Sequence, residues 1–256
     1  MEALRRRTWG PLDPYALNRY LLNRKKNTTM TTATAPYPAH LTGELAPRLS
    51  RWLWIVKTIL AIPHFIVLAG LGVAFVATTL FAGFAILFTG RYPRALFDFN
   101  VGVLRWNWRV GFYVYAAMGT DRYPPFTLAK TDYPADFDVD YPERLSRGLV
   151  LVKSWLLALP QLIITMLVVG EFLVYPLSSG GGPAAIIAQE AGAFSVLGLL
   201  VLMAGLLVLV TGTYPRPLFD FLLGINRWLY RVTTYVALMR DEYPPFRLDT
   251  GSRDPS

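Results

Sequence analysis

The stretch that decides the fold is RYPRALFDFNVGVLRWNWRVGFYVYAAMGTDRYPPF, from Arg91 to Phe126, because it occurs twice in the chain. It returns as TYPRPLFDFLLGINRWLYRVTTYVALMRDEYPPF, which begins at Thr213. The shared Tyr-Pro-Arg, Leu-Phe-Asp-Phe and Arg-Trp motifs keep a constant offset of 122 residues, as from Tyr92 to Tyr214. A repeat this specific indicates that the chain consists of two duplicated units.

The duplication extends upstream of this stretch, since residues 37–51 align without a gap to residues 133–147. The second copy therefore starts at about residue 133, inside a segment rich in aspartate. The basic and Thr-rich start lacks an apolar core and is typical of a disordered tail rather than a signal peptide. We expect a disordered basic tail at 1–36, repeat unit 1 at 37–128, an acidic linker at 129–144, repeat unit 2 at 145–248 and a tail at 249–256.

The composition places the chain in the membrane class. Of its 256 residues, 54% are hydrophobic and only 16% are charged, which is too apolar for a typical soluble domain. Cysteine is absent, which excludes disulfides, thiolate zinc sites and cysteine nucleophiles. With only two histidines in the chain, a histidine metal site or a catalytic triad is disfavoured. The net charge of +8 is first a topology signal and secondly an indication of anionic partners.

The apolar runs predict membrane-spanning helices. No charged residue occurs between Thr58 and Gly90, and with Trp52 to Ile55 added the run is too long for one crossing of about 20 residues. The Ala-Gly-Leu-Gly segment at 69–72 is the obvious position for a turn. We therefore predict a transmembrane hairpin at about 52–89, and in unit 2 two transmembrane helices at about 149–175 and 192–212.

The basic residues predict the orientation. All 25 Lys and Arg lie outside residues 58–90 and 154–215, so both hairpin tips lack positive charge. Cytoplasmic loops carry the excess of Lys and Arg. The sequence thus predicts a multi-pass protein of the plasma (inner) membrane with four spans, both termini cytoplasmic, both tips external and the two repeats parallel.

A polar stripe follows each hairpin. Pro93 and Pro215 are positions where a helix begins, and Tyr-Pro-Pro-Phe ends each copy. Between them, basic residues recur at helical spacing and are flanked by aromatic side chains, which suits a helix in the lipid headgroup layer. We predict such helices at about 95–117 and 217–238, with lipid-binding residues Arg94, Arg105, Arg109, Arg216, Arg227 and Arg231. Asp98 and Asp220 each have an arginine one turn away and are predicted to form structural ion pairs.

The predicted fold is therefore an all-α membrane protein. It consists of two tandem repeats, each a transmembrane helical hairpin followed by an amphipathic interfacial helix. The alternation of Asp136, Asp138 and Asp140 with apolar residues adds a short strand in the linker, with its acids on one side. Those acids are suited either to a divalent cation or to nearby arginines, and the second alternative is favoured because unit 1 does not repeat them.

One histidine lies inside the first predicted span. His64 follows Pro63, and an ionisable group within a membrane is a candidate site by default. Its counterpart in unit 2 is Gln161. A proton relay and a neutral hydrogen bond both fit His64, but only the neutral hydrogen bond also fits glutamine.

The duplicated motifs carry a resemblance to a known family. The RYPR-x-LFDF helix, the RYPPF ending and the stretch from RLSR to Ile-Pro-His resemble a bacterial membrane-protein family catalogued only as a domain of unknown function. Thr213 replaces the first arginine of the motif in the second copy. The resemblance implies a membrane location and supplies no reaction and no catalytic residues.

We expect a non-enzymatic membrane scaffold or accessory subunit whose helices contact anionic membrane lipid, and which binds a protein partner or a second copy of the chain. A small transporter or a lipid-handling membrane protein is the alternative. An enzyme ranks third, because Asp98 and Asp220, the carboxylates repeated within the motif's helix, each have an arginine in reach. We predict no cofactor, no metal site and no nucleic-acid partner.

Overall fold

The computed structural model describes residues 37–169 and 195–249. The predicted basic tail, the region between the two helices of unit 2 and all but the first residue of the C-terminal tail lie outside these residues. The described elements are β1 (Ala39–Gly43), α1 (Leu53–Leu60), α2 (Ile62–Thr89), α3 (Arg94–Tyr113), β2 (Ala135–Val139), α4 (Arg147–Val152), a π-helical turn (Lys153–Leu157), α5 (Leu159–Val169), α6 (Val196–Thr211) and α7 (Arg216–Val236).

A two-stranded antiparallel ribbon lies at the centre of the molecule. β1 pairs with β2 in a register that places Leu41 opposite Phe137 and Gly43 opposite Ala135. The strand predicted from the alternating aspartates is confirmed as β2. Its partner β1 was not predicted. The expected all-α fold is confirmed as a mostly helical one, to which the two strands add a small ribbon. The two strands occupy matched positions of the repeat, so the duplication supplies both of them.

The predicted hairpin of unit 1 is wrong, because α2 continues through it. Ile62–Thr89 is one helix of 28 residues, about 42 Å long at 1.5 Å per residue. Gly70 and Gly72 lie within it, and a methyl group added at either would meet nothing within 4 Å. A glycine inside a helix costs only about 1 kcal/mol, so the two residues do not force a turn. The four-span, parallel arrangement loses the turn that it required in unit 1.

Two helices of the described chain are long and apolar enough to cross a membrane, judged by length and composition. They are Ile62–Thr89 and Arg147–Met166, which runs through α4, the π-helical turn and most of α5. The helix of 16 residues at Val196–Thr211 is apolar but shorter. The first two predicted apolar regions are therefore helical as expected, and 196–211 falls within the predicted helix at 192–212.

The two helices predicted to lie in the headgroup layer are instead interior elements. α3 and α7 start directly after Pro93 and Pro215, as predicted, and end a few residues before the predicted 117 and 238. α3 is packed between α2 and the ribbon: Asn100 lies beside Thr79 of α2, and Arg105 bonds the ribbon. α3 therefore contacts α2 on one side and bonds the ribbon through Arg105 on the other.

The two repeats are interlocked through reciprocal contacts. Gly83 of unit 1 lies against the Leu238 side chain of unit 2, where an added methyl carbon would be 3.1 Å away. Gly205 of unit 2 lies against Met118 of unit 1 at the same distance. The main core gathers side chains from β1, β2, α2, α3 and the start of α7. Neither repeat therefore completes its own core.

Candidate functional site: a duplicated set of buried cations

Arg105 of α3 is held on the central ribbon. Its Nε donates to the carbonyl oxygen of Phe137 at 2.8 Å, and Nη1 donates to Leu128 O at 3.1 Å. The same guanidinium forms ion pairs with Asp136 at 3.1 Å and Asp138 at 3.3 Å. The planar fork of arginine suits this mixture of carbonyl and carboxylate acceptors.

Arg227 of α7 makes the matching contacts in the second copy. Its Nε donates to Leu41 O on β1 at 2.9 Å, and Nη1 donates to Asp249 O at 2.7 Å. Leu41 and Phe137 face each other in the ribbon. Each arginine thus binds the strand that comes from the other repeat.

A second buried arginine follows one turn later in each helix. Arg109 donates from Nη2 to Ala129 O at 3.0 Å and lies 3.7 Å from a carboxylate oxygen of Asp136. Arg231 donates from Nη1 to Oδ2 of Asp249 at 2.6 Å. Burial lowers the pKa of Arg109 from its usual value, and the Asp136 carboxylate opposes that shift. The ordinary pKa of a guanidinium is so high that Arg109 stays charged at neutral pH.

These positions correct the prediction that the four inner arginines face lipid headgroups. Arg105, Arg109, Arg227 and Arg231 are 9%, 0%, 1% and 2% exposed. A basic stripe flanked by aromatics looks the same in sequence whether its partner is a phosphate layer or a ribbon of backbone carbonyls. Here the ribbon and the acidic linker supply the acceptors.

The outer arginine of each helix remains exposed, and the two copies differ there. Arg94 forms the predicted ion pair with Asp98 at 3.1 Å and stacks over the ring of Tyr141, 4.6 Å from its centroid. Within the described residues no ion pair joins Arg216 to Asp220, so that predicted pair is not formed. The repeat counterpart of Tyr141 is Leu45, which offers no aromatic face to hold the guanidinium.

Two buried lysines were not predicted as site residues. Lys57 is 2% exposed; its Nζ donates to Thr120 O at 2.6 Å and lies 2.8 Å from Oδ1 of Asp121. Lys153 is 1% exposed, with its Nζ 2.8 Å from Oδ1 of Asp241. Lys57 and Lys153 have the same offset of 96 residues as the aligned segments 37–51 and 133–147. A lysine repeated inside an apolar helix is the signal that could have identified them.

Both aspartates also fix the chain before the next helix. Oδ2 of Asp121 accepts a hydrogen bond from the backbone N–H of Ser50 at 2.6 Å. Oδ2 of Asp241 accepts the same bond from Ser146, also at 2.6 Å. Each Lys–Asp pair is thus a clamp between the loop that follows α3 or α7 and the start of an apolar helix.

His64 and Gln161 play the same part in the two copies. The indole Nε1 of Trp106 donates to Nδ1 of His64 at 3.0 Å. The indole Nε1 of Trp228 donates to Oε1 of Gln161 at 2.9 Å. A neutral acceptor is sufficient for both bonds, which supports the neutral hydrogen bond over the proton relay.

The acids of the linker face cations. Asp136 lies within ion-pairing distance of Arg105 and Lys130, and Asp138 contacts both as well. The alternative in which these acids answer nearby basic residues is therefore confirmed. Across residues 37–169 and 195–249, no group of three or more His, Asp or Glu is placed to hold a metal ion.

The duplicated arrangement agrees with a family comparison. A family model described as "Domain of unknown function (DUF4389)" matches residues 51–127 and 183–247, together more than half of the chain. The chain belongs to the DUF4389 family. The two matched segments each end beside a Tyr-Pro-Pro-Phe motif, which supports the duplication and the resemblance to a family of unknown function. No curated protein and no solved structure matches the chain significantly.

Proposed function

We propose that this DUF4389 protein is a non-enzymatic integral membrane protein, a scaffold or accessory subunit anchored as a multi-pass protein in the plasma (inner) membrane. The observation that carries the proposal is the surface of α2. Its outward side chains include Val73, Phe84 and Phe88, which are 73%, 65% and 74% exposed. Apolar area left in water costs about 25 cal/mol per Å², so a continuous stripe of this kind favours a hydrocarbon environment.

The occupied cations support a structural role. Lys57, Lys153, Arg105 and Arg109 already have carbonyl or carboxylate partners within the protein. A catalytic group has to reach a substrate in a pocket, whereas Lys57, Lys153 and Arg109 are almost completely buried. These matched contacts hold the helices against the ribbon and against the loops that follow α3 and α7. Such contacts favour a rigid scaffold that binds partners over a catalytic site.

The ends of the described chain support termini on one side of the membrane. Arg227 donates both to Leu41 O, near the start of the described residues, and to Asp249 O, at their end. Lys and Arg are absent from residues 58–90 and 154–215 and abundant elsewhere. The positive-inside rule then favours the cytoplasmic side for both termini.

Anionic lipid and a protein partner or second copy remain the proposed partners. Arg94 and Arg216 are exposed and each follows soon after an apolar helix, where basic side chains meet headgroups. We propose lipid contact for these two arginines only. Arg105, Arg109, Arg227 and Arg231 are buried, and so the proposal does not include them.

Cysteine accessibility tests the location, since the native chain has no cysteine. Thr131→Cys is expected to resist a membrane-impermeant maleimide on intact cells and to react after permeabilisation. Ser179→Cys, outside the described residues, is expected to react on intact cells. External reaction of Thr131→Cys would refute the cytoplasmic placement, and extraction of the protein by alkaline carbonate would refute integral insertion.

A further inference from the structure

Three arginines converge at the end of α2. Arg91, Arg144 and Arg147 line a pocket of about 460 Å³ together with Thr89, Gly90 and Leu145. The pocket is built by a close approach of two segments, because the backbone N–H of Leu145 donates to Gly90 O at 2.9 Å. Gly90 ends α2 in the left-handed region with φ of 71°, which turns the chain so that Arg91 lies at the pocket.

These three guanidinium groups lack the carboxylate partners that Arg94, Arg105 and Arg109 have. Within residues 37–169 and 195–249, no carboxylate lies within ion-pairing distance of any of the three. By contrast, Arg94 has Asp98 at 3.1 Å, although it is only three residues from Arg91. A concentration of unpaired guanidinium groups attracts an anion, and phosphate oxygens match the fork of arginine donors.

The surroundings of the pocket favour a lipid over a soluble anion. Phe84 and Phe88 are exposed on the last turns of α2, and Leu151 is 60% exposed on α4. α2 and α4 pack together, since a methyl carbon at Gly83 would lie 3.8 Å from Val150. A headgroup held in the pocket would therefore have an apolar surface directly beside it for acyl chains.

The second copy differs at this place and supplies a control. Thr213 stands where unit 1 has Arg91, which removes one of the three charges. The guanidinium of Arg51 lies directly on Gly212, with Nη2 2.7 Å from the point where a methyl carbon would be. Arg48 and Arg51 are thus chemically similar to Arg144 and Arg147 but lack the third arginine.

We propose that Arg91, Arg144 and Arg147 bind the phosphodiester headgroup of an anionic phospholipid. This assignment rests on the membrane location proposed above and names one lipid site within it. The lipid seated there bridges the end of α2 and the start of α4, which belong to different repeats.

The test compares Arg91→Gln/Arg144→Gln/Arg147→Gln with Arg48→Gln/Arg51→Gln, each purified in mild detergent. Phosphatidylglycerol or phosphatidylcholine is added in mixed micelles, and bound lipid is counted by native mass spectrometry. We expect the triple variant to lose phosphatidylglycerol affinity about tenfold or more, since each arginine near an anionic headgroup adds to the attraction. The control pair should change it less than threefold, and phosphatidylcholine should bind weakly to all three proteins.

A milder variant keeps the test valid if the triple variant fails to fold. Arg91→Thr installs the residue of the second copy and is expected to weaken phosphatidylglycerol binding severalfold while the elution profile stays unchanged. Wild-type retention of phosphatidylglycerol in Arg91→Thr and in any folded triple variant would overturn the proposal. Displacement of the lipid by 10 mM inorganic phosphate, with equal binding of phosphate alone, would assign the pocket to a soluble anion and overturn it too.

Membranes from the cells that express these proteins, taken before detergent is added, separate this proposal from the proposed function. Alkaline carbonate extraction of the wild type and both variants reports membrane insertion without reference to bound lipid. Loss of lipid from the triple variant with full retention in the membrane supports the pocket. Retention of the lipid in an inserted triple variant refutes the pocket and leaves the scaffold proposal intact, whereas extraction of the wild type refutes the membrane location itself.

Discussion

Arg227 donates a hydrogen bond from Nε to the carbonyl oxygen of Leu41, 186 residues earlier in the chain, at 2.9 Å. Its counterpart Arg105 donates in the same way to Phe137, the residue opposite Leu41 in the ribbon. Each strand is therefore fixed by a helix of the other repeat. Because the contacts are reciprocal, the two repeats are expected to fold and unfold as one cooperative unit rather than as two domains.

Removing either ribbon arginine should destabilise the protein strongly. Arg105→Gln leaves Asp136 without its closest guanidinium, and Arg227→Gln removes the donors to the carbonyl oxygens of Leu41 and Asp249. We expect a loss of about 3 to 5 kcal/mol in each case, the range for breaking a buried ion pair or network. Thermal unfolding in mild detergent, followed by tryptophan fluorescence, measures the loss.

The matched control is Arg94→Gln on the exposed end of α3. Its pair with Asp98 is open to solvent on both sides, so the change should cost about 0.5 kcal/mol or less. An equal loss for Arg94→Gln and Arg105→Gln would contradict the interior role of the ribbon arginines.

The sequence predicted the helices of the repeated motif better than it predicted their surroundings. Pro93 and Pro215 mark the starts of α3 and α7, because proline is compatible only with the first turn of a helix. The sequence could not predict what the polar face of each helix contacts. A periodic stripe shows that Arg105 and Arg109 share a face, but it carries no information on whether lipid or protein covers that face.

The missed strand and the wrong hairpin have separate physical causes. β1 reads AHLTG and lacks the alternating aspartates that revealed β2, although the ungapped alignment of the repeat places the two at matched positions. Gly70 and Gly72 looked like a turn because the apolar run exceeded one crossing. A helix satisfies its own backbone hydrogen bonds, and so α2 extends to 28 residues without a break.

The Lys57 clamp predicts a rescue by a second substitution. Lys57→Met leaves the Asp121 carboxylate without its cation and should cost about 3 kcal/mol or more. Adding Asp121→Asn removes the orphaned charge while its amide oxygen still accepts from the N–H of Ser50. The double variant should recover at least half of the lost stability in thermal unfolding. Additive losses in this double-mutant cycle would show that the pair is not coupled.

Glycine substitutions discriminate a continuous α2 from a hairpin. Gly70→Ala adds a methyl group in open space on a helix and should stabilise the protein by up to about 1 kcal/mol. Gly102→Ala places a methyl carbon 2.8 Å from Cβ of Leu128 and should destabilise it by about 1 to 3 kcal/mol. Unfolding midpoints of the two variants provide the comparison, and a strong loss for Gly70→Ala would favour a turn at that residue.

The repeated aspartates test the absence of catalysis. Asp98→Asn removes an exposed ion pair, and Asp220→Asn removes a carboxylate that has no arginine within ion-pairing distance in the described chain. Both should leave abundance and cellular function close to wild type, with changes in stability near 0.5 kcal/mol for Asp98→Asn. Complementation of a deletion strain, with abundance measured in parallel, checks this. A complete loss of function at normal abundance would indicate a catalytic or proton-carrying carboxylate.

The two repeats have His64 and Gln161 at equivalent positions, and this difference predicts which substitutions of His64 the protein tolerates. His64→Gln keeps an acceptor for the indole N–H of Trp106, as Gln161 does for Trp228 at 2.9 Å. We therefore expect His64→Gln to retain cellular function and to unfold within about 1 kcal/mol of wild type. His64→Leu is similar in size but leaves the buried indole N–H unpaired, which should cost about 1 to 3 kcal/mol. If His64→Gln is as inactive as His64→Leu while remaining folded and inserted, the imidazole is required for its titration, and a proton relay replaces the structural hydrogen bond.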